Sequence, residues 1–198
     1  MDAAVEPVLV RTPFWYLRHG ETDWNARNLS QGNIDIPLNA NGIAQAQAAA
    51  KLLVGRGIAS IVASPLSRAR DTAEVVGAAL GLPMSIDEGL REVAFGAQEG
   101  QPMADWFADW IAGRHTPEGA ESFAALRRRA VAAVNRATAH PPAVLVVAHG
   151  ALFRALRSAM GLEPNARTRN GVPFWCAPGP VGGPWALTPA EAGATLNF

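Results

Sequence analysis

The chain has 198 residues, a length that suits one α/β domain spanning 1–198 and leaves little for a second. Seventeen Lys+Arg balance seventeen Asp+Glu, so the formal net charge is zero and no long-range field draws in nucleic acid or an anionic membrane. Charged residues make up 17% and apolar ones 49%, which supports a full core and excludes a disordered chain.

Two further counts narrow the class. Sixteen of the basic residues are Arg and one, Lys51, is Lys. The single cysteine, Cys176, excludes an internal disulfide and any multi-cysteine zinc or iron–sulfur site, and suits a reducing compartment. Asp2 and Glu6 stand where a secretory leader needs a basic start, and no apolar run reaches the roughly 18 residues of a membrane span. The expectation is a cytoplasmic protein with neither nucleic-acid nor membrane partners.

In chain order, Phe14 to Leu17 reads as a buried strand that runs into Arg18-His19-Gly20-Glu21-Thr22, with Gly20 permitting a tight exit. The Ala-rich stretch Ile43 to Val54 follows Asn39 and Asn41 and stops at Gly55, the signature of a helix. Ser60 to Ala63 is a short β-branched strand, and Ser64-Pro65 then reads as a helix start with Pro in the first turn, continuing to Gly81. Met84 to Ile86 is a weaker strand, Leu90 to Gly100 a loop, and Met103 to Ile111 a short aromatic helix within a cap segment at about 100–122. Glu121 to Ala139 carries an apolar stripe at helical spacing, with Arg127-Arg128-Arg129 on its solvated face. Ala143 to Ala148 is the continuous apolar run of a central parallel strand, and a helix from Ala151 to Met160 follows His149-Gly150. Beyond Gly161 the chain is Pro/Gly-rich, with strands near Phe174 and Trp185.

Alternating strands and helices predict an α/β fold with a mostly parallel central sheet and helices on both faces. Ligands in such sheets bind beyond the carboxyl ends of the strands, where strand order reverses. Arg18-His19, Ser64 to Arg68 and His149-Gly150 all stand at predicted strand ends, so they can converge.

Several chemistries are absent. The one lysine is followed by Leu52, no G-x-G-x-x-G opens a helix, and no H-E-x-x-H occurs, which removes P-loop, dinucleotide and zincin readings and calls for no metal or cofactor. No arginine follows Cys176, so a thiol phosphatase is excluded and that residue reads as core. What remains is two histidines and two arginines at strand ends. Arginine forks match phosphoryl oxygens, and a neutral imidazole can attack phosphorus when its other nitrogen donates to a fixed acceptor.

The motifs that carry this chemistry are Arg18-His19-Gly20-Glu21-Thr22 with Trp24-Asn25, and Gln31-Gly32 with Asp35, Pro37 and Leu38. They continue with Ser64-Pro65-Leu66, Arg68-Ala69 and Thr72-Ala73, then Leu90, Glu92, Phe95-Gly96 and Glu99-Gly100, and end at Val147-Ala148-His149-Gly150. In this order they resemble the histidine phosphatase superfamily, the phosphoglycerate mutase-like family, from about Phe14 to Gly161. The resemblance implies that His19 is the phosphorylated nucleophile and Glu92 the general acid. It implies that Arg18, Asn25, Arg68 and His149 bind phosphate, with Gln31, Gly32, Gly150, Trp106 and Trp110 as lining residues.

Plainer roles stand beside these. Arg18 and Arg68 could pair with Glu21 or Asp71, His149 could cap its helix, and Asp87, Glu88 or Glu99 could be the acid in place of Glu92. Glu21 and Thr22 position the loop, His140 ends a helix, and His115 has no assigned role. The aromatic cap is either a lid over an apolar or ring-bearing substrate or simple core packing. A family mutase carries a longer, basic insertion, whereas residues 100–122 hold one arginine, Arg114, and no lysine. The reading is therefore a metal-independent phosphomonoester hydrolase acting on a small molecule, with a mutase or a non-catalytic phospholigand binder as alternatives.

Overall fold

The structure, a computed structural model, describes residues 6–190. Its centre is an open six-stranded sheet in the order β3-β2-β4-β1-β5-β6. β1 (Phe14–Arg18), β2 (Ser60–Ala63), β3 (Met84–Ile86) and β4 (Val144–Ala148) run parallel, while β5 (Pro173–Ala177) and β6 (Ala186–Pro189) extend the β1 side antiparallel. β5 and β6 match the strands expected near Phe174 and Trp185, although Trp185 itself precedes β6 and packs edge-on against Phe14.

Period-two alternation sorts the central strands onto two cores. Phe14 and Tyr16 of β1 and Val144, Val146 and Ala148 of β4 face α4 (Trp106–Ile111), α5 (Phe123–Ala137) and α6 (Gly150–Ala159). Trp15, Leu17, Leu145 and Val147 face the opposite core, built with α2 (Ala40–Leu53) and α3 (Ser67–Leu80). The chain leaves β1 through α2 toward β2, then returns through α5 to insert β4 between β2 and β1. Strand order thus reverses beside β1 and β4, and the crevice lies at their carboxyl ends.

Helix starts depart from expectation for local reasons. α2 begins at Ala40, ahead of Ile43, because the Asn39 side chain accepts from Gly42 N–H at 2.8 Å. α3 begins at Ser67, and Pro65 lies outside it. The Ser64 hydroxyl accepts from Leu66 N–H, and the carboxylate of Asp35, 32 residues away, caps the helix through Ser67 N–H and Oγ at 2.8 and 2.7 Å. Gly20 is needed for close approach, since a Cβ there would collide with the carbonyl of Gly42. Among the described residues no helix is long and apolar enough to cross a membrane.

The cap belongs to the core. Phe95, Phe107, Trp110 and Phe123 pack ring against ring at 5.2–5.9 Å between centroids, and Trp106 closes on Phe95 and Phe107. Trp110 is wholly buried, and its Nε1–H donates to the Glu121 carbonyl at 2.9 Å. Trp110→Ala is expected to destabilise the protein by about 3–5 kcal/mol, the usual loss for a buried aromatic. An unfolding free energy from urea denaturation that stays within about 1 kcal/mol of the unsubstituted protein would show that the cluster does not support the core.

Candidate active site

His19 follows β1 directly, and its N–H bonds to the Ala148 carbonyl at 3.0 Å, which draws it toward the end of β4. The residue is 2% exposed, and Nδ1 lies 2.6 Å from the Gly20 carbonyl, so Nδ1 carries the proton and Nε2 keeps its lone pair. Burial first, then the charges of Arg68 and Arg18, hold its pKa well below the ordinary imidazole range. His19 is therefore neutral at pH 7, the state a nucleophile requires.

His149 ends β4 with its ring centroid 5.3 Å from that of His19. Tyr16 of β1 clamps its backbone, donating to the His149 carbonyl at 2.8 Å and accepting its N–H at 3.1 Å. Nε2 of His149 lies 2.7 Å from the Ser64 hydroxyl, which already accepts from Leu66 N–H. With the hydroxyl proton directed to Nε2, the ring proton sits on Nδ1, a buried nitrogen without a hydrogen-bond partner. Burial, then Arg68 and His19, keep this ring neutral as well. Its side chain caps nothing. The orphan N–H groups of Ala151 and Leu152 at the start of α6 are taken, at 2.9 Å each, by the Glu92 carboxylate from a loop 59 and 60 residues away.

Arg68 is 1% exposed and donates to the Ile34 and Gly32 carbonyls at 2.9 and 2.8 Å, holding the loop that follows α1 in place. Gly32 sits at φ +52°, where a Cβ would strike the Glu99 carboxylate. Arg18 donates to the Thr168 carbonyl at 2.6 Å. Desolvation lowers both guanidinium pKa values to about 10, leaving both cationic at neutral pH. Neither arginine pairs with Glu21 or Asp71; it is Arg70 that bonds Asp71, at 2.9 Å. Four buried polar atoms at this site have no protein partner: Arg18 Nε, Arg68 Nε, His149 Nδ1 and Thr168 Oγ1. Unpaired buried donors are costly, and here two guanidinium N–H groups and, with Ser64 donating to Nε2, the His149 Nδ1–H lie unpaired at the site that holds His19.

A cavity of about 210 Å³ opens at this point, lined by Arg18, His19, Asn25, Gln31, Gly32, Arg68, Glu92 and Gly150 among others. Glu92 is the one carboxylate among its lining residues. Asp87 pairs with Arg136 at 2.8 Å, Glu88 with Arg91 at 2.7 Å, and Glu99 accepts from Asn33 and Phe95 N–H groups. Asn25 and Thr22 form a reciprocal cap on α1 (Asp23–Ala26), while Gln31 accepts from the Thr22 hydroxyl at 2.9 Å. His149 is fully buried behind the cavity surface.

Two expectations are corrected. Trp106 and Trp110 do not line the cavity, because both turn into the aromatic core, while Phe95, Met103 and Phe107 supply its apolar wall. Arg129 does not belong to a solvated face. It pairs with Glu121 at 2.6 Å and donates to the Gly89 and Arg91 carbonyls at 2.9 and 2.7 Å, pinning the loop that delivers Glu92. Arg154 and Arg167 line the cavity from α6 and the loop after it. The sequence assigned no site role to Ser64, Tyr16, Thr168 or Asn170. Asn170 donates to the His19 carbonyl at 2.9 Å and to Asn25 Oδ1 at 3.2 Å. The Ser64-Pro65 motif was the one signal for any of the four.

The two depressed histidines set a pH dependence of stability. Below the ordinary imidazole value near 6.5 the unfolded chain binds protons that the folded one refuses. Stability is thus complete above that value and is lost as pH falls beneath it. Denaturant midpoints measured from about pH 8 down to about pH 5 should fall on the acid side, and His19→Gln should lessen the fall. A midpoint that is flat across this range would mean that the rings are solvated.

Comparison with known proteins gives the same assignment. A family model described as the histidine phosphatase superfamily (branch 1) matches residues 14–174. A probable phosphoglycerate mutase GpmB of Yersinia enterocolitica is 38% identical over 166 residues, covering 77% of each chain. Among solved structures, one called mycobacterial hydrolase 1 superposes with a TM-score of 0.77 at 32% identity, covering 89% of this chain and 96% of its own. The mycobacterial glucosyl-3-phosphoglycerate phosphatase in complex with VO3 gives 0.75 at 31% identity, covering 88% and 96%. The strand-end histidines, the arginines beside them and these likenesses agree, and the chain belongs to the histidine phosphatase superfamily.

Proposed function

We propose that the protein is a phosphomonoester hydrolase working through a covalent phosphohistidine, with His19 Nε2 as nucleophile. The observation that carries this reading is a neutral imidazole, its Nδ1–H held by the Gly20 carbonyl, beside three unpartnered buried N–H donors on Arg18, Arg68 and His149. Those donors suit the equatorial oxygens of a phosphoryl group in flight, with the Asn25 amide NH₂ as a fourth, since its Oδ1 is already taken. His19 attacks phosphorus and the ester oxygen leaves with a proton from Glu92. Glu92, then a carboxylate, takes a proton from the water that attacks the phosphohistidine, releasing inorganic phosphate and restoring His19. In the present geometry Glu92 accepts N–H bonds from α6, so it must exchange one of them for the leaving oxygen.

Hydrolysis is favoured over mutase chemistry by the short cap and by a mouth that is continuous with a larger groove of about 510 Å³ sharing Arg18, Arg154 and Arg167. A mutase must shield its phosphoenzyme from water. Leu29, Phe95, Met103 and Phe107 would receive an apolar or ring-bearing part of the substrate. The reading needs no metal and places the enzyme in the cytoplasm as a single domain with a small-molecule substrate.

Incubation with labelled phosphomonoester should yield an acid-labile, base-stable phosphoenzyme that His19→Ala abolishes. Arg68→Ala should lower kcat by about 10²–10³, the usual loss for one such donor. Chelators should leave p-nitrophenyl phosphate hydrolysis unchanged. Labelling that survives in His19→Ala would place the nucleophile elsewhere, and rapid interconversion of 2- and 3-phosphoglycerate without phosphate release would favour the mutase.

A further inference from the structure

Glu92 is tethered twice, once by its side chain and once by its main chain. The carboxylate accepts the Ala151 and Leu152 N–H groups of α6 at 2.9 Å each and the Val93 N–H at 3.1 Å. Its main chain is held by Arg129 on α5 and by Glu121, just ahead of that helix. Arg129 uses all five of its N–H groups. Nε and NH2 grip the two carboxylate oxygens of Glu121 at 3.0 and 2.6 Å, NH1 donates to the Gly89 and Arg91 carbonyls at 2.9 and 2.7 Å, and NH2 reaches the Glu92 carbonyl at 3.4 Å. The Glu121 N–H donates to the Ala94 carbonyl at 2.8 Å, and the Glu121 carbonyl is itself fixed by Trp110 Nε1. Carbonyls on both sides of the acid are thus bound by one ion pair, while Leu90 and Val93 between them are wholly buried. A planar fork engaged at every donor fixes orientation as well as distance.

Resting on the phosphohistidine reading, we infer that the Glu121–Arg129 pair is the positioning element of the general acid, holding the Glu92 main chain still while its carboxyl group moves from α6 to the leaving oxygen. The N-terminus of α6 cannot place that group throughout the reaction, because the acid must turn its O–H toward the ester oxygen and give up an N–H bond to do so. The backbone stays fixed, and the movement is confined to the side-chain torsions of Glu92. As the His19 Nε2–P bond forms and the P–O ester bond breaks, the Glu92 proton passes to the departing oxygen; neither Glu121 nor Arg129 exchanges a proton. Displacement of a reacting group by about 1 Å lowers a rate by about a hundredfold. Loss of the pair therefore falls on proton transfer, and a leaving group that departs without a proton is little affected.

Phenyl phosphate and 2,4-dinitrophenyl phosphate share a reacting centre, but only the first needs a proton on its leaving oxygen. Their kcat/KM values report the step that forms the phosphoenzyme. Glu92→Gln sets the scale, with a loss of more than about a hundredfold for phenyl phosphate and less than about tenfold for the dinitrophenyl ester. Arg129→Gln should cost more than about tenfold for phenyl phosphate and less than about threefold for the dinitrophenyl ester. In a Glu92→Gln background the same substitution should leave the ratio of the two esters unchanged, because the residues act as one unit. Hydrogen exchange reads the carboxylate without turnover: the Ala151 and Leu152 amides should exchange more than about tenfold faster in Arg129→Gln, while those of Val146 and Val147 in β4 keep their rates. Glu121→Gln carries both measurements where Arg129→Gln does not fold. Equal losses on the two esters, a ratio that shifts further in the Glu92→Gln background, or unchanged exchange at Ala151 and Leu152 overturns the inference. Amides that loosen as expected in a protein that hydrolyses neither ester keep the tie between Arg129 and Glu92 and remove the phosphatase reading.

Discussion

The parallel pairing of β1 with β4 underlies everything at this site. Register places Arg18 opposite Ala148, and the His19 N–H continues the ladder to the Ala148 carbonyl, so each strand delivers a histidine at the same level. Strands about 4.8 Å apart put successive side chains within reach of one another, and the two rings lie 5.3 Å apart. Tyr16 fastens this end of the sheet by donating to and accepting from the His149 backbone, while its ring stacks on Phe153 of α6 at 4.1 Å. A one-residue slip would turn both histidines to the wrong faces. The antiparallel β5 covers the other side of β1, leaving the carboxyl end as the open exit.

Desolvation then gives these residues their chemistry. Two imidazoles and two guanidinium groups share a buried corner in which desolvation lowers the proton affinity of all four, and the arginine charges lower that of the histidines further. The histidines respond by remaining neutral, whereas the arginines stay charged because their ordinary pKa is so high. That division leaves His19 with a free lone pair beside fixed positive donors. Loop carbonyls of Gly32, Ile34 and Thr168 hold the cations in place, so their N–H groups are aimed before an anion arrives.

The loop that carries Glu92 illustrates how distant parts are recruited. Arg129 of α5 binds its carbonyls, the aromatic cluster around Trp110 packs beneath Phe95, and the N-terminus of α6 receives the carboxylate. One acid thus satisfies a helix end and lines the cavity, which ties the geometry of the site to the packing of two helices. The same α6 carries Arg154 outward to the groove, so a single helix joins the acid, the second histidine's loop and the mouth.

Strand and helix order, the strand-end clusters and the family were legible along the chain because they are local. Apolar runs mark β1 and β4, turn chemistry marks their exits, and short motifs around His19, Arg68, Glu92 and His149 carry the chemistry. The lone lysine and the balanced charge were equally plain, but their meaning was not: with no lysine in the cap, the groups that make the mouth basic are arginines from α6 and the loop after it. Tertiary structure alone decided which neighbours complete each role. Ser64 meets the His149 ring across 85 residues, Asn170 reaches His19 across 151, and Arg129 turns to brace the Glu92 loop. Trp110 turns to the core while Phe107, three residues earlier, reaches the cavity. Such partnerships depend on register and packing between segments far apart in the chain, and no local pattern of residue types encodes that distance.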